Sequence, residues 1–398
     1  MRSQLLLSYD FPPMGGGISR WMGELAGRFP PGSLVISTGQ FPAAELIDRE
    51  FPNQVDRLAI PSDRLRSTRG LALWARRAGT LARAGTEFVW CGNIKPASYP
   101  AWWVRSRQGI PYGILVHGGD LLILQRQVRA SLRKRWAARA LLGRASVIVA
   151  NSTWTAELCR SILDRLGIYS RGGTVRTVPL GADPVLFRPG LGQNEIRVRY
   201  GLNGRRWLIT VARLTRHKGI DTGIRVLGGL SRHYSDLGYI VVGSGEDRPG
   251  LEALAVEQGV ADRVRFLGAV PDSELASLYN SAEIYLGLSR QMPDRVEGFG
   301  IALAEASACG IPVIAGRTGG IPDAVREGET GLLVNPESLD DISSAVRGLL
   351  DDRERAVGLG RAGRRAVEAY YNWDRVASDI SEIGRELGTT GTREGLPS

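Results

Sequence analysis

Short apolar runs alternate with stretches of helical periodicity along almost the whole chain, and the alternation restarts after a Pro/Gly-rich segment near residue 185. In the first half the strand-like runs fall at 5–8, 34–37, 88–91, 112–116, 147–150 and 175–179, with helical patterns around 70–84, 97–108, 120–143 and 153–166. In the second half strands are expected at 207–212, 239–242, 264–267, 284–288, 312–315 and 331–334. The helices between and after them are expected at 219–232, 247–258, 272–280, 300–309, 338–350 and 353–370. Strands separated by helices of this length must run parallel, with helices covering both faces of the sheet. The expected fold is therefore α/β, with two such sheets in tandem and a cleft between two domains, 1–190 and 191–371. A last amphipathic helix, 372–387, is expected to pack back on the first domain, followed by a flexible tail, 388–398. Ligands of open parallel sheets bind beyond the carboxyl ends of strands, so the chemistry is sought in those loops.

Composition narrows the classes. A hydrophobic fraction of 43% and a charged fraction of 23% belong to a globular chain. No apolar run approaches the roughly 20 residues of a membrane span. The N-terminus, Met1-Arg-Ser-Gln-Leu-Leu-Leu7, has a three-leucine run without a small-residue cleavage site, so the cytoplasm is the expected compartment. Cys91, Cys159 and Cys309 are odd in number and lack metal-type spacing, which disfavours a disulfide framework or a zinc site. The net charge of +10 is carried almost wholly by Arg; the only lysines are Lys95, Lys134 and Lys218. That balance suits a phosphate-rich ligand, an anionic membrane or nucleic acid. No aromatic-rich single-strand motif or helix-turn-helix supports nucleic acid, which is not expected as a partner.

Three segments carry candidate chemistry. Phe11-Pro-Pro-Met-Gly-Gly-Gly17 precedes a helical pattern, so Gly16 and Gly17 can offer backbone N–H groups to an anion or simply make a tight turn. Neither this loop nor Gly243-Ser-Gly245-Glu-Asp-Arg248 has the third glycine of a dinucleotide fingerprint, which disfavours a nicotinamide-dependent oxidoreductase. Arg213 and Lys218 lie in the loop after a strand and can converge on a diphosphate; a solvated basic loop is the plainer alternative. Glu297-Gly-Phe-Gly-Ile-Ala-Leu-Ala-Glu305 places one carboxylate in a loop and a second within the helix that follows, with the helix N-terminus between them.

Together these motifs resemble the retaining glycosyltransferases of the GT-B fold, the large fourth sequence family, also called group 1. The resemblance rests on Gly16-Gly17, Arg213 with Lys218, and Glu297 with Glu305. It extends to Pro179-Leu-Gly-Ala-Asp183, Val264-Arg-Phe-Leu-Gly268, Gly319-Gly-Ile-Pro-Asp323 and Gly331-Leu-Leu-Val-Asn-Pro336. It implies two Rossmann-like domains facing a deep cleft and an enzyme that uses a nucleotide-sugar donor. Arg213 and Lys218 would neutralise the diphosphate, Glu297 would hold sugar hydroxyls and Glu305 the ribose. Backbone around Phe299, Gly300 and Ile301 would contact sugar or phosphate, and Gly16-Gly17 would close over the diphosphate. The base would lie against Phe266 and Leu267, and His117 matches a family histidine near the sugar. Substitution with retention, in which the leaving phosphate oxygen takes the acceptor proton, is expected in preference to a double displacement through a carboxylate. The sequence contains no Asp-x-Asp, so no metal and no other cofactor is expected.

Pro293-Asp-Arg-Val-Glu-Gly-Phe-Gly300 is similar to mannosyltransferases of phosphatidylinositol-type lipids that use GDP-mannose, which makes mannose the expected sugar. UDP-glucose or UDP-N-acetylglucosamine with a soluble acceptor is the alternative, and a non-catalytic nucleotide-binding protein the alternative of another class. Asp272 can accept paired hydrogen bonds from guanine, or serve as an ordinary helix N-cap. Two acid-free basic stretches, 64–83 and 126–144, are expected to meet an anionic membrane and a lipid or glycan acceptor, with the protein peripheral on the inner face. In the second of them, a continuous helix would carry an apolar stripe of Val128, Leu132 and Trp136.

Overall fold

A computed structural model of the chain describes residues 3–168 and 174–391. The described part divides into two compact units. The upstream unit contains seven parallel strands: β1 (Ser3–Leu7), β2 (Leu34–Gln40), β3 (Gln54–Pro61), β4 (Thr86–Cys91), β5 (Tyr112–Val116), β6 (Val147–Ala150) and β7 (Val175–Thr177). The downstream unit contains six: β8 (Arg206–Val211), β9 (Leu237–Val242), β10 (Val264–Gly268), β11 (Ile284–Gly287), β12 (Val313–Gly316) and β13 (Gly331–Val334). The sheet orders are β3-β2-β1-β4-β5-β6-β7 and β10-β9-β8-β11-β12-β13. Each sheet is all-parallel with helices between its strands, the two-sheet α/β arrangement of the GT-B fold. Strand direction of build-up reverses between β1 and β4 in one unit and between β8 and β11 in the other. These are the switch points where adjacent connections diverge and leave a crevice.

Strands that are covered on both faces read as near-continuous apolar runs. Leu5, Leu7, Val89, Ile114, Val116 and Ile148 lie in one core, and Leu208, Tyr239, Val241, Ile284, Leu286 and Ile314 in the other, all buried. The exception is β3, an edge strand of mixed exposure (Gln54-Val-Asp-Arg-Leu-Ala-Ile-Pro61), whose polar sequence gives no strand signal.

Two boundaries differ from the sequence reading. The units meet at 179/180 and 372/373, where the sequence suggested 190/191 and 371/372. The segment following Pro179 is held to the downstream unit: Phe187 is buried 5.9 Å from the Tyr279 ring, and Arg364 donates to the carbonyls of Pro184, Phe187 and Ala308. The helix Trp373–Gly391 belongs to the upstream unit, where Gln4 donates to the Ser381 carbonyl at 2.9 Å and accepts from Trp90 Nε1 at 2.7 Å. Residues 388–391 of the expected tail are its last turn, and 392–398 lie outside the described residues. The continuous helix expected over 120–143 is two helices, Gly119–Ala130 and Leu132–Leu142, broken at Ser131. Ser131 is extended (φ −153°, ψ 123°) and caps the second helix through its hydroxyl. The expected apolar stripe is interrupted there: Val128 packs on the core, while Leu132 and Trp136 are 82% and 73% exposed.

Candidate active site

In the downstream unit the loops after β8 and β11 bring Lys218 and Glu297 together at the switch point. Val211 ends β8; Arg213 is exposed, and its guanidinium has no acid partner among the described residues. A 3-10 turn, Arg216–Lys218, then carries Lys218 toward the loop after β11. Gly219 closes this turn at φ +69°, and a Cβ there would lie 2.1 Å from the Leu288 carbonyl oxygen, so only glycine lets the turn sit against the end of β11.

Lys218 is salt-bridged to Glu297 through a hydrogen bond to Oε2, with side-chain exposures of 17% and 20%. Ser289 donates to the same oxygen at 3.4 Å. Burial pushes the Glu297 carboxyl up, but the Lys218 charge and hydrogen bond, with His217 and Ser289, outweigh it and hold the group below the ordinary range. His217 is 4% exposed and pairs through Nδ1 with Thr215 Oγ1 at 3.1 Å. Burial and the neighbouring Lys218 charge push its imidazole down to about 4. At neutral pH this ring is therefore uncharged and adds no positive charge beside Lys218. Arg290, whose backbone N–H donates to the His217 carbonyl, donates through Nη2 to both Asp221 carboxylate oxygens, at 3.0 and 2.9 Å.

Backbone geometry fixes Glu297 from its other side. Its carbonyl accepts from Gly320 N at 2.9 Å, and a Cβ at Gly319 (φ +53°) would stand 2.4 Å from that carbonyl oxygen. Phe299 is buried, its ring 6.2 Å from Tyr371, so this residue offers backbone alone. Gly300 is left-handed (φ 97°) and caps the helix Ile301–Ala308, which carries Glu305 in its second turn. Glu305 is 6% exposed and accepts the Tyr279 hydroxyl on Oε2 at 2.9 Å. Phe266 and Leu267, at the end of β10, are half-buried, with the Arg248 guanidinium 5.9 Å from the Phe266 ring centroid. Asp272 is exposed and is the first helical residue of Asp272–Asn280, where Pro271 takes the cap position. The sequence reading had not singled out Tyr279, Ser289 or His217. Their partners lie across the fold or inside one turn, and no local pattern marks them.

In the upstream unit Gly16 and Gly17 follow β1. Both are exposed, and Gly16, at φ 120°, requires glycine by conformation; a Cβ there would meet nothing within 4 Å. His117 follows β5 and is half-buried. Its Nε2 is 2.7 Å from the Gly92 carbonyl, and its ring meets the Trp21 edge at 4.9 Å. A carbonyl can only accept, so Nε2 carries a proton.

The family described as Glycosyl transferases group 1 matches residues 192–366, which contain every candidate of the downstream unit. A GDP-mannose-dependent alpha-(1-6)-phosphatidylinositol monomannoside mannosyltransferase of Mycobacterium tuberculosis (strain ATCC 25618 / H37Rv) is 31% identical over 97% of this chain and 98% of its own. The chain belongs to the group 1 glycosyltransferases. A D-inositol 3-phosphate glycosyltransferase of Corynebacterium aurimucosum, another similar protein, is 30% identical over 71% of this chain and 68% of its own. Among solved structures, Anabaena Alr3699/HepE in complex with UDP aligns over 97% of this chain and 100% of its own with a TM-score of 0.79 at 18% identity, a likeness of fold. As a group 1 glycosyltransferase the protein is an enzyme that moves a glycosyl group, and the non-catalytic alternative falls away.

Proposed function

We propose that the protein transfers mannose from GDP-mannose, with retention and without a metal, to an inositol carrying a phosphate, the lipid-linked form foremost. One observation carries this reading. Lys218, in the same loop after β8 as Arg213, pairs with the Glu297 carboxylate after β11 at the switch point of a chain that matches, end to end, relatives named for GDP-mannose and phosphatidylinositol mannoside. The second kind of relative is named for inositol 3-phosphate, so a phosphorylated inositol is common to both.

In this mechanism Arg213 and Lys218 neutralise the diphosphate as the bond from the anomeric carbon to phosphate oxygen breaks. The acceptor hydroxyl oxygen bonds to that carbon on the face the phosphate leaves, and its proton passes to the departing phosphate oxygen. Glu297 stays ionised, and its charge is matched by Lys218. That suits it to orienting sugar hydroxyls and makes it a poor proton donor. Glu305, oriented by Tyr279, takes the ribose; Phe266, Leu267 and Asp272 take the base, with Asp272 reading guanine. Phe299, Gly300 and Ile301 contribute backbone.

The enzyme would work peripherally at the inner membrane face. No helix among the described residues is long and apolar enough to cross a membrane. The exposed Leu132 and Trp136 stand on a helix that also carries Arg133, Lys134, Arg135 and Arg139, a composition suited to an anionic surface. In the stretch 64–83, Arg64, Arg69, Arg76 and Arg83 are exposed, whereas Arg77 is neutralised by Asp56 and Arg66 lies over the Tyr9 ring at 4.1 Å.

The test is a screen of nucleotide sugars against phosphatidylinositol mannoside and inositol phosphate, with the product's anomeric configuration read by NMR and EDTA present throughout. Mannose transferred from GDP-mannose as the α-anomer is expected. Preference for a UDP-sugar, an inverted product, or activity only with added metal ion would each overturn the corresponding part.

A further inference from the structure

Lys95 is the one lysine of the upstream unit set into the ligand end of its sheet. It follows β4, one of the two strands at that unit's switch point. Its loop is fixed from both neighbours: the Gly92 carbonyl is bonded to His117 after β5, and Asn93 donates to Asp10 after β1 at 3.1 Å. Lys95 itself is half-buried between the buried residues Ile94 and Pro96, and its Nζ donates to a neutral group, Gln127 Oε1, at 3.3 Å. Among the described residues no carboxylate pairs with it. Asp10 is turned to Asn93, and Asp120 to the backbone N–H groups of His117 and Leu121. Half-buried arginines elsewhere have such partners: Arg57 with Asp48, Arg290 with Asp221.

Burial, followed by the nearby charge of Lys134, pushes the Lys95 ammonium down from its ordinary range. An ammonium partly out of water and without an acid partner is stabilised by an anion beside it. Arginines solvate this protein's surface; here the compact ammonium group suits a point contact with phosphate oxygens.

We propose that Lys95 and Gln127 form a phosphate subsite that receives the phosphoryl group of the acceptor. This rests on the acceptor assignment above and locates its phosphate in the upstream unit. The same chemistry occurs in a lipid headgroup diester and in a free inositol phosphate.

Steady-state kinetics with inositol phosphate, deacylated phosphatidylinositol mannoside and the lipid in vesicles separate the sources, and titration with inorganic phosphate tests the subsite without transfer. For Lys95→Gln we expect KM for phosphorylated acceptors to rise about tenfold, kcat to stay within about twofold, and inorganic phosphate binding to weaken in parallel, from the loss of one charge-assisted contact. GDP affinity should be unchanged, which also reports folding. Were that affinity lost, Gln127→Leu carries the test and is expected to raise the same KM severalfold. A rise with both soluble acceptors marks a general phosphoryl site, and a rise with the deacylated lipid alone marks a diester site. A rise confined to vesicles, or an unchanged KM and phosphate affinity, overturns the subsite. Wild-type enzyme that uses no phosphorylated inositol overturns the acceptor assignment, and the inorganic phosphate titration then still decides the subsite.

Discussion

At the scale of single residues, the site sets one member of a compensated pair in the same loop as Arg213, a cation uncompensated among the described residues. Lys218 neutralises Glu297, and the buried His217 stays neutral beside them. The histidine has a measurable consequence. Its folded value of about 4 lies below the unfolded value of 6.5, so between those values the unfolded chain takes up a proton that the folded chain refuses. Stability therefore falls as pH drops through that window. From pH 7.5 to 4.5 the loss from this one group is about 2–3 kcal/mol. Urea unfolding of wild type and His217→Gln should show a pH slope shallower in the variant by about that amount; equal slopes would contradict the burial of an uncharged ring. Of the site, Arg213, Lys218, Glu297 and Glu305 were legible because they sit in or just after loops that follow strands. Tyr279 was not, because its bond to Glu305 spans two helices that only the packed fold brings together.

At the scale of elements, glycines decide how closely the loops approach. Gly319 supports Glu297 by leaving room for its carbonyl, and any side chain there meets both a left-handed φ and a 2.4 Å contact. Gly319→Ala is expected to shift the loop, costing about 1–3 kcal/mol of stability and weakening GDP-mannose binding severalfold; a thermal melt and a donor titration check both, and wild-type values would show that the loop has slack. The sequence revealed the buried strands through their apolar runs and missed β3, which lies at an edge and is half polar. It also merged two helices, because Ser131 interrupts neither the charge pattern nor the apolar spacing while its backbone turns extended.

At the scale of the whole molecule, the charge excess divides between work and surface. Lys218 is engaged within the site, whereas the arginines around Leu132 and Trp136 face outward. Replacing both Leu132 and Trp136 by Ser should weaken binding to anionic vesicles about tenfold or more by removing apolar insertion, with GDP affinity retained; co-flotation with vesicles measures it, and unchanged flotation would remove this helix from the membrane contact. The chain's division at 179/180 was not visible because Leu180 to Pro189 reads as a linker. Its allegiance comes from Phe187 and Arg364, contacts that appear only once the downstream unit is folded.

The central claim is that Arg213 and Lys218 grip the donor diphosphate. Calorimetric titration of GDP and of guanosine into wild type and the Arg213→Ala/Lys218→Ala double variant tests it most directly. GDP should lose about a hundredfold or more in affinity through the two missing charged contacts, while guanosine loses almost nothing. Equal GDP affinity in the two proteins would contradict the account.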